Sequence, residues 1–306
     1  MSDDLRTTAY LAPPGFVSQL RAELGETTEE YDRLLLSPGP PRPIAWAANI
    51  WREPTRIRID SINQGARALR AIQRNWVLYS FAHHRRASLI QDKLPSVSAK
   101  PLQFPNPPPA APLGSWTLLD PQTILAAPDC SSAFPHGEVR FVEDRTTPPN
   151  RAYLKLWEVF TLIGERPGPG QVCVDLGSSP GGWTWVLQDS GASVISVDKA
   201  PLDPRVANLS RVDVRRESAF GIDPDTIGSV DWLFCDIACY PERLLALVRR
   251  WLESGTCRRM VCTVKFQGET DRATTAALAQ IPGSRLMHLS HNKHELTWIL
   301  GLGAQG

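Results

Sequence analysis

The chain has 306 residues, 42% hydrophobic and 21% charged, with a formal net charge of +1; this composition fits a globular protein, and the length suggests two domains or one with a large appendage. No stretch approaches the roughly 18 uninterrupted apolar residues of a membrane span, and the acidic start MSDDLRTTAY lacks the basic opening and apolar core of a secretory signal, so a cytoplasmic protein without a membrane partner is expected. The six cysteines contain no CxxC pair, which argues against a zinc site, and a disulfide framework is not expected in a chain this long.

Taken in chain order, the first half is proline-rich and irregular. TTAYLAPPGFVSQLRAELG reads as a short strand, a turn at Pro13-Pro14-Gly15 and a helix; TRIRID, 55–60, alternates as a strand does. Residues 63–94 place Ala66, Leu69, Ile72, Trp76, Leu78 and Phe81 at roughly helical spacing. The proline cluster within 95–115 reads as an extended linker. From Arg52 to Lys100 ten Lys/Arg face three acids. That excess suits either a phosphate-backbone footprint or a solvated helix face.

The second half alternates strand and helix patterns. Helices are expected at 152–164, 181–190, 241–254 and 270–281. Strands are expected at 171–176, 193–198, 208–214, 230–236 and 259–265, with two more at 285–290 and 295–302. This alternation predicts an α/β fold with a mainly parallel sheet covered on both faces. The last two strands leave no room for a helix and form an antiparallel C-terminal edge hairpin. The expected division is a smaller N-terminal α+β region, 1–144, for substrate docking and a catalytic domain, 145–306.

The motif with most chemistry in it is VCVDLGSSPGGW, 172–183, a buried strand running into a glycine-rich loop that opens a helix. In an open α/β sheet this is where ligands bind. The expected cofactor-binding set is Asp175, Gly177, Ser178, Pro180, Gly181, Gly182 and Trp183, with Trp183 packing beneath the loop. The spacing departs from G-x-G-x-x-G, and Pro180 removes an amide that a pyrophosphate wants, so a ligand without phosphates fits better. Asp198, ending the next strand, is placed to accept both hydroxyls of an adenosine ribose. It alone does not separate S-adenosyl-L-methionine from NAD.

DLGSSPGGWTWVL followed by VISVDKAPL resembles the FtsJ/RrmJ-type ribose 2′-O-methyltransferases. CDIACYPERLLALVRRWLESGTCRRMVCTVKF and HNKHELTW resemble one branch in particular, the bacterial 23S rRNA methyltransferase M (RlmM) branch. The resemblance covers 145–303, and AYLAPPGFVSQLRAEL is similar to the branch's opening segment. The middle region, about 40–140, is shorter than the branch's THUMP-containing RNA-binding part. The resemblance implies a Rossmann-like class I methyltransferase fold, S-adenosyl-L-methionine as cofactor, and an RNA partner, rRNA foremost. It also implies a Lys-Asp-Lys-Glu tetrad, matched by Lys155, Asp236, Lys265 and Glu295.

In that scheme Lys265 is the base or the hydroxyl-orienting group and Lys155 the second cation. Asp236, which also faces the cofactor, positions both ammonium groups, while Glu295 holds Lys265 or the ribose. Glu217, with Ser218, is a candidate for the adenine. Tyr240 either stacks on a target base or caps the following helix. His291 and His294 read as satisfied surface histidines. Alternatives are the same fold and cofactor acting on another RNA or a small molecule, an NAD-dependent oxidoreductase, and a silent RNA-binding homologue. A monomer is favoured.

Overall fold

The structure, a computed structural model, describes residues 6–302; the first five residues of the acidic opening lie outside them. The chain forms two compact units. One runs up to Leu102 and includes Pro108–Arg140; the other takes Gln103–Pro107 and everything from Phe141 onward. A single boundary at 144/145 therefore does not describe the packing. The proline-rich stretch is also more than a linker, because Phe104 within it stacks on Trp157 at 4.8 Å with rings 7° apart.

In the first unit, five strands make an antiparallel sheet in the order Glu29–Tyr31, Leu34–Pro38, Thr7–Leu11, Asn49–Arg52, Asp129–Cys130. A second sheet orders Thr55–Arg58, Thr123–Ala127, Gly114–Asp120 and Trp76–Leu78. The helical spacing at 63–94 breaks into a helix Ile62–Ile72, a strand Trp76–Leu78 and a helix His84–Gln91. The polar run Gln73-Arg74-Asn75 ends the first helix. Trp76, fully buried, then pairs its backbone with Gly114 and donates its indole N–H to Leu69 O at 2.9 Å. A side chain at 114 would collide with that indole. Strand pairing with a distant segment thus overrode local spacing.

The second unit begins with α1 (Tyr153–Ile163), then β1 (Val172–Leu176), α2 (Gly182–Asp189), β2 (Ser193–Val197), α3 (Pro204–Ala207) and β3 (Val212–Arg215). It continues through α4 (Pro224–Ile227), β4 (Trp232–Cys235), α5 (Pro241–Ser254), β5 (Met260–Lys265), α6 (Arg272–Ala279), β6 (Ser284–Met287) and β7 (Glu295–Leu300). The sheet order is β3-β2-β1-β4-β5-β7-β6. The first five strands are mutually parallel, and β7 runs antiparallel to both β5 and β6. This is the α/β, Rossmann-like sheet with its C-terminal hairpin at one edge.

Parallel strands buried on both faces are apolar throughout, and Trp232–Cys235 is buried at every position. The longest helix, α5, carries Pro241 at its first turn, buries Leu244, Leu247, Val248 and Trp251, and stops at Gly255 in the left-handed conformation. β1 is the switch point: the chain crosses to β2 on one side and to β4 on the other. The carboxyl ends of β1, β2, β4 and β5 therefore open onto one crevice. Among the described residues no helix is long and apolar enough to cross a membrane, and no three His, Cys, Asp or Glu side chains are grouped to hold a metal ion.

Candidate active site

The crevice at these strand ends has a volume of about 490 Å³, in the range of small-ligand sites. Its floor is the β1–α2 loop, whose shape follows from internal bonds. Gly177 and Ser178 N–H both donate to Val197 O, at 2.9 and 3.4 Å, and Ser179 N–H donates to Asp198 Oδ2 at 3.0 Å. Pro180 has no N–H. From 177 to 180 the loop therefore keeps no backbone donor for a pyrophosphate, which counts against a dinucleotide. Gly177 sits at φ +75°, and a Cβ there would strike the Ile237 side chain. A Cβ at Gly182 would strike the Asn150 carboxamide. These two glycines are needed for packing within the chain itself.

Asp198 at the end of β2 is fixed by two amides, Ser179 N–H on one oxygen and Ala200 N–H on the other at 2.9 Å. It lines the crevice half-buried, with lone pairs left for a diol. Across the mouth, Phe220 and Arg243 form a wall, the guanidinium carbon lying 3.8 Å from the ring centroid, a cation–π contact.

Beyond the loop lie four charged side chains in alternating sign. Glu295 Oε1 is 2.7 Å from Lys155 Nζ, Lys155 Nζ is 3.4 Å from Asp236 Oδ1, and Asp236 Oδ1 is 2.9 Å from Lys265 Nζ. Their side chains are only 8–24% exposed, so the attractions are weakly screened and each charge is compensated. Lys265 Nζ also donates to the main-chain oxygen of Asp236 at 2.6 Å. Lys265 and Asp236 line the crevice, with Lys155 and Glu295 behind them.

Residues 148–279 match the family model described as FtsJ-like methyltransferase. The matched residues all lie in the second unit. Curated relatives named ribosomal RNA large subunit methyltransferase M include that of Halorhodospira halophila, 36% identical over 158 residues, covering 49% of this chain and 46% of that protein. The protein of Aromatoleum aromaticum is 37% identical over 171 residues (51% and 46%), and that of Methylococcus capsulatus 33% over 190 residues (57% and 53%). The chain spans about half the length of the curated relatives it matches.

Within the second unit, Gly177, Asp198 and Asp236 of the expected cofactor set line the crevice. Asp175 does not. It is 1% exposed beneath the loop, where Oδ2 accepts from Thr184 Oγ1 at 2.6 Å and Oδ1 has no partner. Burial, with Asp236 and Asp198 nearby, pushes its carboxyl up to about 7 against the lowering effect of Thr184. Ser178 is also buried, bonded to Ser196 Oγ at 2.8 Å, while Pro180, Gly181 and Gly182 shape the loop without lining the crevice. Trp183 is buried, its indole N–H donating to Ala152 O at 2.9 Å.

Glu217 is exposed and off the crevice; Ser218, Ala219 and Phe220 face it instead. Glu295 pairs with Lys155, not with Lys265. Its strand β7 lies between β5 and β6, so the carboxylate is buried rather than solvated at an edge. Tyr240 precedes α5 without a side-chain capping bond and is 61% exposed. His294 lies 3.1 Å from Thr270 Oγ1. Lys199, Phe220 and Arg243 line the site and were missed. Their signal was positional: each lies in the segment or helix that follows a strand of the parallel sheet.

Proposed function

We propose that this chain transfers a methyl group from S-adenosyl-L-methionine to a ribose 2′-hydroxyl of RNA, with 23S rRNA as the substrate. The observation that carries the reading is the continuous contact Glu295–Lys155–Asp236–Lys265, whose last two members line the crevice. The names of the relatives supply the rRNA. Asp198 suits the donor's ribose hydroxyls, and the loop at 177–180, with its amides already bonded, suits a ligand without phosphates. When bound, this donor supplies an electrophilic methyl group with a neutral leaving group, so no acid is needed on the departing side.

The difficult partner is the hydroxyl, which must be aimed. Lys265 as an ammonium has three N–H donors. Two are committed to Asp236, through Oδ1 and the main-chain oxygen, so the third points where those two leave room. It can hold the acceptor oxygen in one orientation, and such alignment is worth several kcal/mol; as the oxygen–methyl bond forms and the methyl–sulfur bond breaks, the hydroxyl proton leaves to water. Asp236 fixes Lys265 and Lys155 together, and Glu295 keeps Lys155 from swinging away. In the first unit, Arg67 and Arg70 on the helix Ile62–Ile72, with Arg74 just beyond, are exposed. This basic face suits a phosphate backbone.

The test is transfer of labelled methyl to deproteinised total RNA, followed by mapping of 2′-O-methyl sites. Label is expected in 23S rRNA. Lys265→Ala is expected to lower transfer by about 100-fold or more, as misalignment of the acceptor does, with S-adenosylhomocysteine affinity nearly unchanged. Label confined to another RNA would refute the substrate, and full transfer by the variant would refute the role of Lys265.

A further inference from the structure

Three residues after Lys155, one helical turn along the same face of α1, stands Glu158. It is a carboxylate only 1% exposed in a helix otherwise buried against apolar side chains. A buried charge is stable only if its oxygens are bonded, and its donors all come from one place. Ser290 N–H donates to Oε1 at 2.7 Å, and His291 N–H donates to Oε2 at 3.1 Å. His291 Nδ1 lies 2.6 Å from Oε2, within donating distance as Nδ1–H. The imidazole also packs on Phe141, centroids 5.8 Å apart.

Ser290 and His291 belong to the segment between β6 and β7, which delivers Glu295. The segment is therefore gripped twice by adjacent turns of one helix: Glu158 holds its middle and Lys155 holds its end, through Glu295 at 2.7 Å. Asn292 Nδ2 bonds to Glu295 O at 3.3 Å and to Thr297 Oγ1 at 3.1 Å, closing the short span between the two grips. Neither Glu158 nor His291 lines the crevice.

We infer that Glu158 and His291 are positioning residues for methyl transfer: they set where Glu295 meets Lys155 and, through Lys155, where Asp236 and Lys265 stand. The inference rests on the tetrad reading given above. A displacement of about 1 Å in such a chain can cost up to roughly a hundredfold in rate, while the donor site at Gly177 and Asp198, on other elements, is left intact.

Steady-state methyl transfer tests this in variants of the whole chain: Glu158→Gln, Glu295→Ala, the double variant, and His291→Gln compared with His291→Leu. Glu158→Gln keeps the shape but replaces one acceptor oxygen with a donor facing His291. It is expected to lower kcat by about tenfold or more, with KM for the donor and Kd for S-adenosylhomocysteine within about twofold. In the Glu295→Ala background the same substitution is expected to cost less than about twofold, because residues acting through one another are not additive. His291→Gln, which keeps an N–H donor, is expected to exceed His291→Leu.

Unchanged kcat in Glu158→Gln would overturn the inference, as would an equal loss in the Glu295→Ala background or a donor KM that rises in step. If Glu158→Gln fails to fold, the ordering of the two His291 variants decides. All values are ratios to wild type on whichever acceptor it methylates. Failure of the rRNA reading would instead appear as a wild type inactive on 23S rRNA.

Discussion

Replacing Asp175 with asparagine removes a carboxyl group that is buried under the cofactor loop with one oxygen bonded to Thr184 and the other to nothing. Burial pushes this carboxyl from 3.8 up to about 7. The folded state therefore holds a proton that the unfolded chain releases. The stabilising contribution is present in full below pH 3.8 and is lost as pH rises through about 7. At about 1.4 kcal/mol per pH unit across that window, the linkage amounts to roughly 4 kcal/mol.

The substituted carboxamide keeps the acceptor for Thr184 but sets an amide N–H where Oδ1 finds no partner, an offset of about 1–3 kcal/mol that does not vary with pH. The assay is urea unfolding at fixed temperature from about pH 5 to 8, wild type against Asp175→Asn. Wild-type stability should fall relative to the variant by about 1 kcal/mol or more per pH unit up to about 7 and then run parallel to it. Parallel curves across the whole range would show that the carboxylate is not isolated from water, and the reasoning from its burial would fail.

Two other outcomes follow from the crevice. Asp198→Ala removes the acceptor at the end of β2 and should weaken S-adenosylhomocysteine binding by about 10- to 100-fold, at about 1.5–3 kcal/mol for bonds to a charged group; calorimetry showing an unchanged Kd would contradict the assignment. Gly177→Ala forces a Cβ into Ile237 at φ +75° and should destabilise the second unit by about 2 kcal/mol or more. A variant with wild-type urea resistance would mean that the loop can move aside.

The class of the second unit was legible locally. A strand buried on both faces must be spelled in apolar residues, so VCVDL, WLFC and MVCTV announce themselves. Where the chain leaves the sheet, charge becomes tolerable again, which is why Asp198, Asp236 and Lys265 stand out at the strand ends. Helix punctuation at Pro241 and Gly255 was equally local. None of this depended on distant partners.

What the tertiary structure decided was pairing. Lys265 and Glu295 are register partners across β5 and β7, yet their ion pairs go to Asp236 and Lys155. That choice depends on where α1 lies, and no local pattern encodes it. Glu158 reads in sequence as one more helical acid, and only the return of the β6–β7 segment reveals it as the acceptor of three donors. Trp76 belonged to a strand because Gly114 leaves room for its ring. Phe104, inside a run of prolines, belongs to the second unit because Trp157 offers a flat partner. Backbone preference and burial pattern act over a few residues and can be read along the chain. Charge pairing and ring stacking depend on separation in space, which is set only when the elements have packed.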